Sequence, residues 1–203
     1  MRLKGYLTEE SEPEDILDTL KKDCKPYLKA SKYFHRRTVG IQKHKLVYDA
    51  GIIRIKPRKD RKPKDTLKLL HQLADNWFLK EFGWKARSEG VFTVPLTSKS
   101  DLLAFPIGKF KFIYSQKVYD MFVTLSNYSE KKYNKFLDRL TEQEINDIWD
   151  WFIEKYGKSY FDMSLNSVTI GNEVMFQCKE YYLVKGEILR EFQIKTPKEI
   201  LSI

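Results

Sequence analysis

Apolar positions recur at helical spacing in three long stretches of the chain and at strand-like spacing in several shorter ones. Ile16, Leu17, Leu20, Cys24, Tyr27 and Leu28 make one stripe, which predicts an amphipathic helix to about residue 29. Pro13, Glu14 and Asp15 open it, since proline is tolerated in a first turn and carboxylates suit the positive end of the helix dipole. Pro26 marks a bend or an end. Leu67, Leu70, Leu73, Ala74, Trp77 and Phe78 make a second helix, capped by Asp65-Thr66 and closed by Gly83. Ile145, Ile148, Trp149, Phe152 and Ile153 make a third over 141–156, started by the capping-box pattern Thr141-Glu142-Gln143-Glu144. A further helix is predicted near 129–140.

Strands are predicted at Tyr33 to Val39, ended by Gly40, and at about 86–94, 110–114, 172–178, 180–185 and 188–194. Leu102-Leu103-Ala104-Phe105 reads as a short apolar connection. Residues 40–64 show little periodicity apart from Gly51-Ile52-Ile53-Arg54-Ile55, and predict a basic, irregular or hairpin excursion. Residues 1–12 are a polar, acidic lead-in. Strands that concentrate after helices point to an α+β fold.

The length of 203 residues favours one domain over 1–203, and 42% apolar with 14% aromatic residues is too much buriable surface for a disordered chain. No run of about 18 apolar residues occurs, and Met1 to Tyr6 lack the apolar core of a signal peptide. The expectation is a soluble intracellular protein with no membrane partner. Cys24 and Cys178 are far apart and outside any CxxC pair, so both read as reduced thiols. His35, His44 and His71 match no metal-binding spacing, and no metal is expected. His71 reads as a satisfied, half-buried residue of its helix. His35 differs because it directly precedes Arg36-Arg37. P-loop, dinucleotide-fold and nucleophile-elbow motifs are all missing. Trp149-Asp150-Trp151 reads as core packing on one side with an aromatic rim on the other.

The net charge of +9 implies an anionic partner: nucleic acid, nucleotide phosphates or an acidic protein surface. Cations concentrate between Arg54 and Lys68, where Lys56, Arg58, Arg61 and Lys62 stand near only Asp60 and Asp65. This segment is either a solvated loop or a nucleic-acid or partner-binding patch.

Several motifs in order carry a family likeness: Asp23 to Leu28, Phe34-His35-Arg36-Arg37-Thr38, Arg61 to Thr66, Phe82-Gly83, Arg87-Ser88-Glu89-Gly90-Val91-Phe92 and Phe105 to Phe110. Over roughly residues 15–185 the chain resembles phage-encoded proteins related to mono-ADP-ribosyltransferases. The resemblance implies split mixed sheets with flanking helices and a cleft for NAD. It implies that Arg36 or Arg37 holds the NAD phosphates, with His35 within reach of the nucleotide. Thr93, with Ser88, supports the nicotinamide ribose, and Glu173 stabilises the cationic transition state. These residue types suit that chemistry: a guanidinium fork matches a diphosphate, and a carboxylate opposes the charge that grows on the ribose.

Two positions depart from the family pattern. The hydroxyl-bearing strand reads Phe92-Thr93-Val94-Pro95, with one hydroxyl where two or three are usual. Gly171 stands two before Glu173, where the family carries glutamate or glutamine to activate the acceptor. The function this implies is cleavage of the nicotinamide–ribose bond of NAD in the host cytoplasm, with modification of a host protein or nucleic acid. A glycohydrolase and a transferase with another acceptor fit the same residues. The alternative from a different class is a non-catalytic basic phage protein of the same fold that binds nucleic acid or an acidic protein.

Overall fold

A computed structural model describes residues 12–35, 41–59, 61, 67–96 and 102–203, with the side chains of 35, 41–44 and 96 left out. Arg36, Arg37, Lys62 and the proposed Asp65-Thr66 cap therefore lie outside the described residues. The chain begins with α1 (Pro13–Asp23), a 3-10 turn at Tyr27–Lys29 and β1 (Tyr33–His35). It continues through α2 (Ile41–Ala50), β2 (Ile52–Ile55), α3 (Lys68–Phe82), α4 (Ala86–Glu89), β3 (Val91–Leu96), β4 (Leu102–Pro106) and β5 (Lys111–Ser115). The second half adds α5 (Met121–Tyr133), α6 (Glu142–Tyr156), β6 (Tyr160–Phe161), β7 (Val174–Gln177), β8 (Tyr181–Lys185) and α7 (Gly186–Glu191).

The described strands form one eight-stranded sheet in the order β2-β8-β4-β1-β3-β7-β5-β6. Every pairing in it is antiparallel, which corrects the expected mixed sheets while keeping the α+β class. β3 changes partner along its length. Val94, Pro95 and Leu96 pair with β1, whereas Val91, Phe92 and Thr93 pair with β7. Pro95 has no N–H to give to a second neighbour, so a ladder on both sides of that position is unavailable.

The sheet has an apolar core on each face. α1, the 3-10 turn, β1 and β4 build the first, where the buried Tyr27, Phe34 and Phe105 rings meet 4.9 to 5.4 Å apart. Burying each such side chain stabilises by about 1.5–3 kcal/mol, and truncating Phe34 to alanine would cost about 3–5 kcal/mol. α3, α5 and α6 build the second core around Phe78, Ile148 and Phe152. β7 is buried on both faces: Val174 and Phe176 join the first core and Met175 the second.

α6 starts with the expected capping box, in which the Thr141 hydroxyl accepts from the Glu144 amide while the Glu144 carboxylate accepts from the Thr141 amide. α3 ends at Gly83 as expected. Several expectations are corrected. Residues 41–55 hold α2 and β2 rather than an irregular excursion; Val47, Ile52 and Ile55 anchor them, too few apolar positions to show a period. Residues 86–89 are helical, not the start of a strand, because Asp75 binds their amides. Leu102–Pro106 is a strand buried at every position, so it shows no alternation. The helix expected near 129–140 is α5, which begins eight positions earlier, at Met121. The last expected strand is α7, where adjacent Ile188 and Leu189 are both buried. Cys24 and Cys178 are free thiols.

Candidate functional site

The site forms where α4, β3 and the approach to β7 meet. Asp75 on α3 is buried and accepts from the backbone amides of Arg87 at 2.9 Å and Ser88 at 3.1 Å. It thereby satisfies the first-turn donors of α4, which four residues of helix cannot satisfy themselves. Its second oxygen accepts from the Ser88 hydroxyl, and His71 Nε2 lies 3.0 Å from that hydroxyl. Burial pushes the His71 imidazole below its usual range, against the opposing pull of Asp75. One imidazole nitrogen faces both partners, at 3.0 Å from Ser88 and 3.4 Å from Asp75. A serine–histidine–aspartate relay needs the two ring nitrogens to divide those roles, so the trio serves to lock α4 onto α3. A Cβ on Gly90 would sit inside 3.0 Å of the Ala86 carbonyl, which makes glycine necessary where α4 turns into β3.

Glu173 directly precedes β7 and is 6% exposed. Its position is fixed from both sides: its amide donates to Val118 O at 3.2 Å, and the Ser115 amide donates to its carbonyl at 3.3 Å. Tyr160 donates a 2.6 Å hydrogen bond to Glu173 Oε1, the Met121 amide approaches Oε2 at 3.4 Å, and Arg87 Nη1 stands 3.6 Å away. The Met121 amide belongs to the first turn of α5, where backbone donors point outward and favour negative charge. Burial raises the Glu173 carboxyl above its usual range, and the Arg87 charge and Tyr160 hydrogen bond oppose it. The Tyr160 hydroxyl is in turn pushed far up by burial and by Glu173. The guanidinium of Arg87 lies 4.4 Å from the Phe92 ring centre, and that of Arg61 lies 4.6 Å from the same ring. The Arg61 amide also donates to Ser88 O at 3.1 Å.

Of the residues singled out from the sequence, the fold groups Ser88, Arg61 and Glu173 around α4. Thr93 is buried and pairs with Val174, the residue after Glu173. Strand alternation sends the two side chains to opposite faces: Thr93 shares a face with Val91 and Val174, while Glu173 meets Tyr160 and Met121 on the other. The Thr93 hydroxyl donates to Val174 O at 3.1 Å. His35 belongs to β1, where its Cα pairs with Val94 and Leu103. Lys56 and Arg58 are exposed in the segment after β2, an edge strand. Gly171 has φ +84°, a backbone conformation that strains any other residue, and its amide donates to Pro95 O at 3.0 Å. That bond ties the turn before β7 to the end of β3.

Arg87 and Tyr160 are the partners of Glu173 that the sequence left without a role. Arg87 opens the Arg87-Ser88-Glu89-Gly90-Val91-Phe92 run singled out in the sequence; Tyr160 follows α6 with no signal beyond its apolar neighbours. Among the described residues, no group of three or more His, Cys, Asp or Glu side chains is arranged to hold a metal ion. No helix among them is long and apolar enough to cross a membrane. No protein-family model matches the chain, and no curated protein or solved structure matches it.

Proposed function

We propose that this domain binds NAD beside β3 and β7 and cleaves its nicotinamide–ribose bond, passing the ADP-ribosyl group to a host macromolecule. One observation carries the reading: β1, β3 and β7 are hydrogen-bonded neighbours, and a buried glutamate stands at the entry to β7 opposite an arginine. The arginine pair follows β1 in the sequence, so first-strand cations, central strand and late carboxylate come in the order that the resemblance requires.

The residues present fit the dinucleotide in charge. A carboxylate offers about four acceptor positions, and Tyr160, Met121 N and Arg87 engage Glu173 from three sides. As the glycosidic bond breaks, its electron pair leaves with nicotinamide, and the carboxylate opposes the positive charge on the ribose. An acceptor nucleophile then adds to that carbon and gives up its proton. Arg87 covers the carboxylate and would exchange it for a phosphate oxygen when the dinucleotide enters. Thr93 has a structural part in this scheme, because it faces away.

The second reading is a non-catalytic binder of nucleic acid or an acidic protein. The observation that favours it is the shielding of Glu173, which is satisfied much as a structural buried carboxylate would be. Calorimetry with NAD and an assay for released nicotinamide separate the two. The enzyme reading expects binding, and release that disappears in Glu173→Gln. No heat at millimolar NAD, or equal release from wild type and variant, hands the function to the binder.

A further inference from the structure

A groove of about 640 Å³ runs between α5 and α6, lined by Tyr128, Lys131, Trp151, Lys155 and Tyr156 among others, with no carboxylate in its lining. The Tyr128 and Trp151 rings are parallel within 1° and 3.5 Å apart at their centres. Lys132 Nζ lies 5.8 Å from the Tyr128 ring centre and Lys155 Nζ 5.2 Å from that of Trp151. Asp147, outside the lining, lies 3.9 Å from Lys132 Nζ. Lys131 and Lys155 make no ion pair among the described residues.

Tyr128 and Trp151 pack against the second core and stack on each other, so only their outer faces, beside Lys132 and Lys155, remain for a ligand. Trp149 already supplies the buried tryptophan of α6, whereas Trp151 stays half-exposed on the groove side. An outer ring face beside ammonium groups matches the two halves of a nucleotide: a base stacks on the outside of the ring pair and its phosphates take the cations. An acidic peptide would use the lysines and leave the rings idle. A duplex offers no free base faces.

We infer that the α5–α6 groove is a binding site for single-stranded nucleic acid, with Tyr128 and Trp151 as the stacking platform and Lys131 and Lys155 as phosphate contacts. The site is separate from Glu173, and its fate does not decide the NAD reading. The groove volume suits a ligand segment of one or two nucleotides. The overall charge of +9 draws the strand in.

The test is fluorescence anisotropy of the full chain with labelled twelve-nucleotide oligo(U) and oligo(dT) over a salt series. Each phosphate contact to a single strand contributes about 0.7 to the salt slope, so Lys131→Gln/Lys155→Gln should flatten it by about 1.4 and weaken binding. Trp151→Leu should weaken binding about tenfold at fixed salt and leave the slope alone. An abasic strand of equal length should bind at least about fivefold more weakly than the base-bearing one. The charge-matched pair Lys80→Gln/Lys198→Gln, on exposed positions elsewhere, should lose less affinity than the groove pair. The lysine variants change exposed side chains only, so they keep the test decisive if the tryptophan variant unfolds. Wild-type binding by the groove lysine variant, equal affinity for the abasic strand or for duplex, or no binding at all would overturn the assignment.

Discussion

Tyr160 donates a 2.6 Å hydrogen bond to Glu173, and both side chains are buried between the sheet and the α5–α6 layer. A buried carboxylate depends on each of its donors, because an oxygen left unpartnered pays the full desolvation cost of that group. Tyr160→Phe should therefore destabilise by about 1–3 kcal/mol, read as a shift in the urea midpoint with an unchanged slope. Tyr33→Phe provides the contrast. The Tyr33 hydroxyl is buried with no hydrogen-bond partner among the described residues, so its removal should be neutral or stabilising. Equal losses in the two variants would show that the Tyr160 bond has no special weight.

Glu173 also gives stability an unusual pH dependence. Its folded carboxyl titrates above the ordinary value of 4.5, with burial as the largest cause. A raised acid binds its proton more tightly in the folded state. Its contribution is therefore fully present below pH 4.5 and is lost as pH rises through the folded value. Glu173→Gln cannot titrate, so the stability of wild type relative to the variant should fall as pH climbs from 4.5. Denaturant midpoints of both proteins measured across that window check the sign; a difference that grows with pH would refute it.

His71 works in the opposite sense. Its folded imidazole titrates below 6.5, chiefly through burial, so its contribution is present above pH 6.5 and is lost as pH falls through the folded value. An NMR titration should place the His71 ring below 6.5. Asp75→Ala should cost about 3 kcal/mol or more, since it strips a buried acceptor from two backbone amides and a hydroxyl. Ser88→Ala removes one donor and should cost about 1 kcal/mol. If the order of those two losses is reversed, Asp75 is not what holds α4.

The sequence revealed elements whose signals are local. α6 carries its own capping box, α3 its closing glycine, and β5, β7 and β8 lie within a residue or two of their expected places. Elements stabilised from a distance were not legible. α4 exists because Asp75, twelve positions before Arg87, binds its amides. α2 buries Val47 between Leu46 and Tyr48, which are both exposed, and β4 is apolar throughout, so neither shows a period. The candidate site divides the same way. Glu173 stood out as a carboxylate opening a late strand, but its partners come from residues 87, 121 and 160, and no spacing rule connects those positions. Its face was equally hidden: Thr93 pairs beside it in sequence logic, yet the pleat turns the two apart.

The catalytic reading separates residues by the step each one serves. A charge that matters mainly in the transition state lowers turnover when lost and leaves ground-state binding nearly alone. Glu173→Gln should thus keep NAD affinity within about threefold while nicotinamide release falls by ~100-fold or more. A phosphate contact exists in ground and transition states alike, so Arg36→Lys/Arg37→Lys should weaken NAD binding about tenfold and leave the release rate at saturation near wild type. Arg87 lies between these cases, since it pairs with Glu173 at 3.6 Å and would pass to a phosphate on binding. Arg87→Lys keeps the charge but loses the planar fork. It should therefore raise the NAD concentration needed for half-maximal release and lower the maximal rate together. Calorimetry and steady-state release on the three variants measure both quantities. Loss of binding in Glu173→Gln equal to that in the arginine variant would mean that the carboxylate only holds the fold.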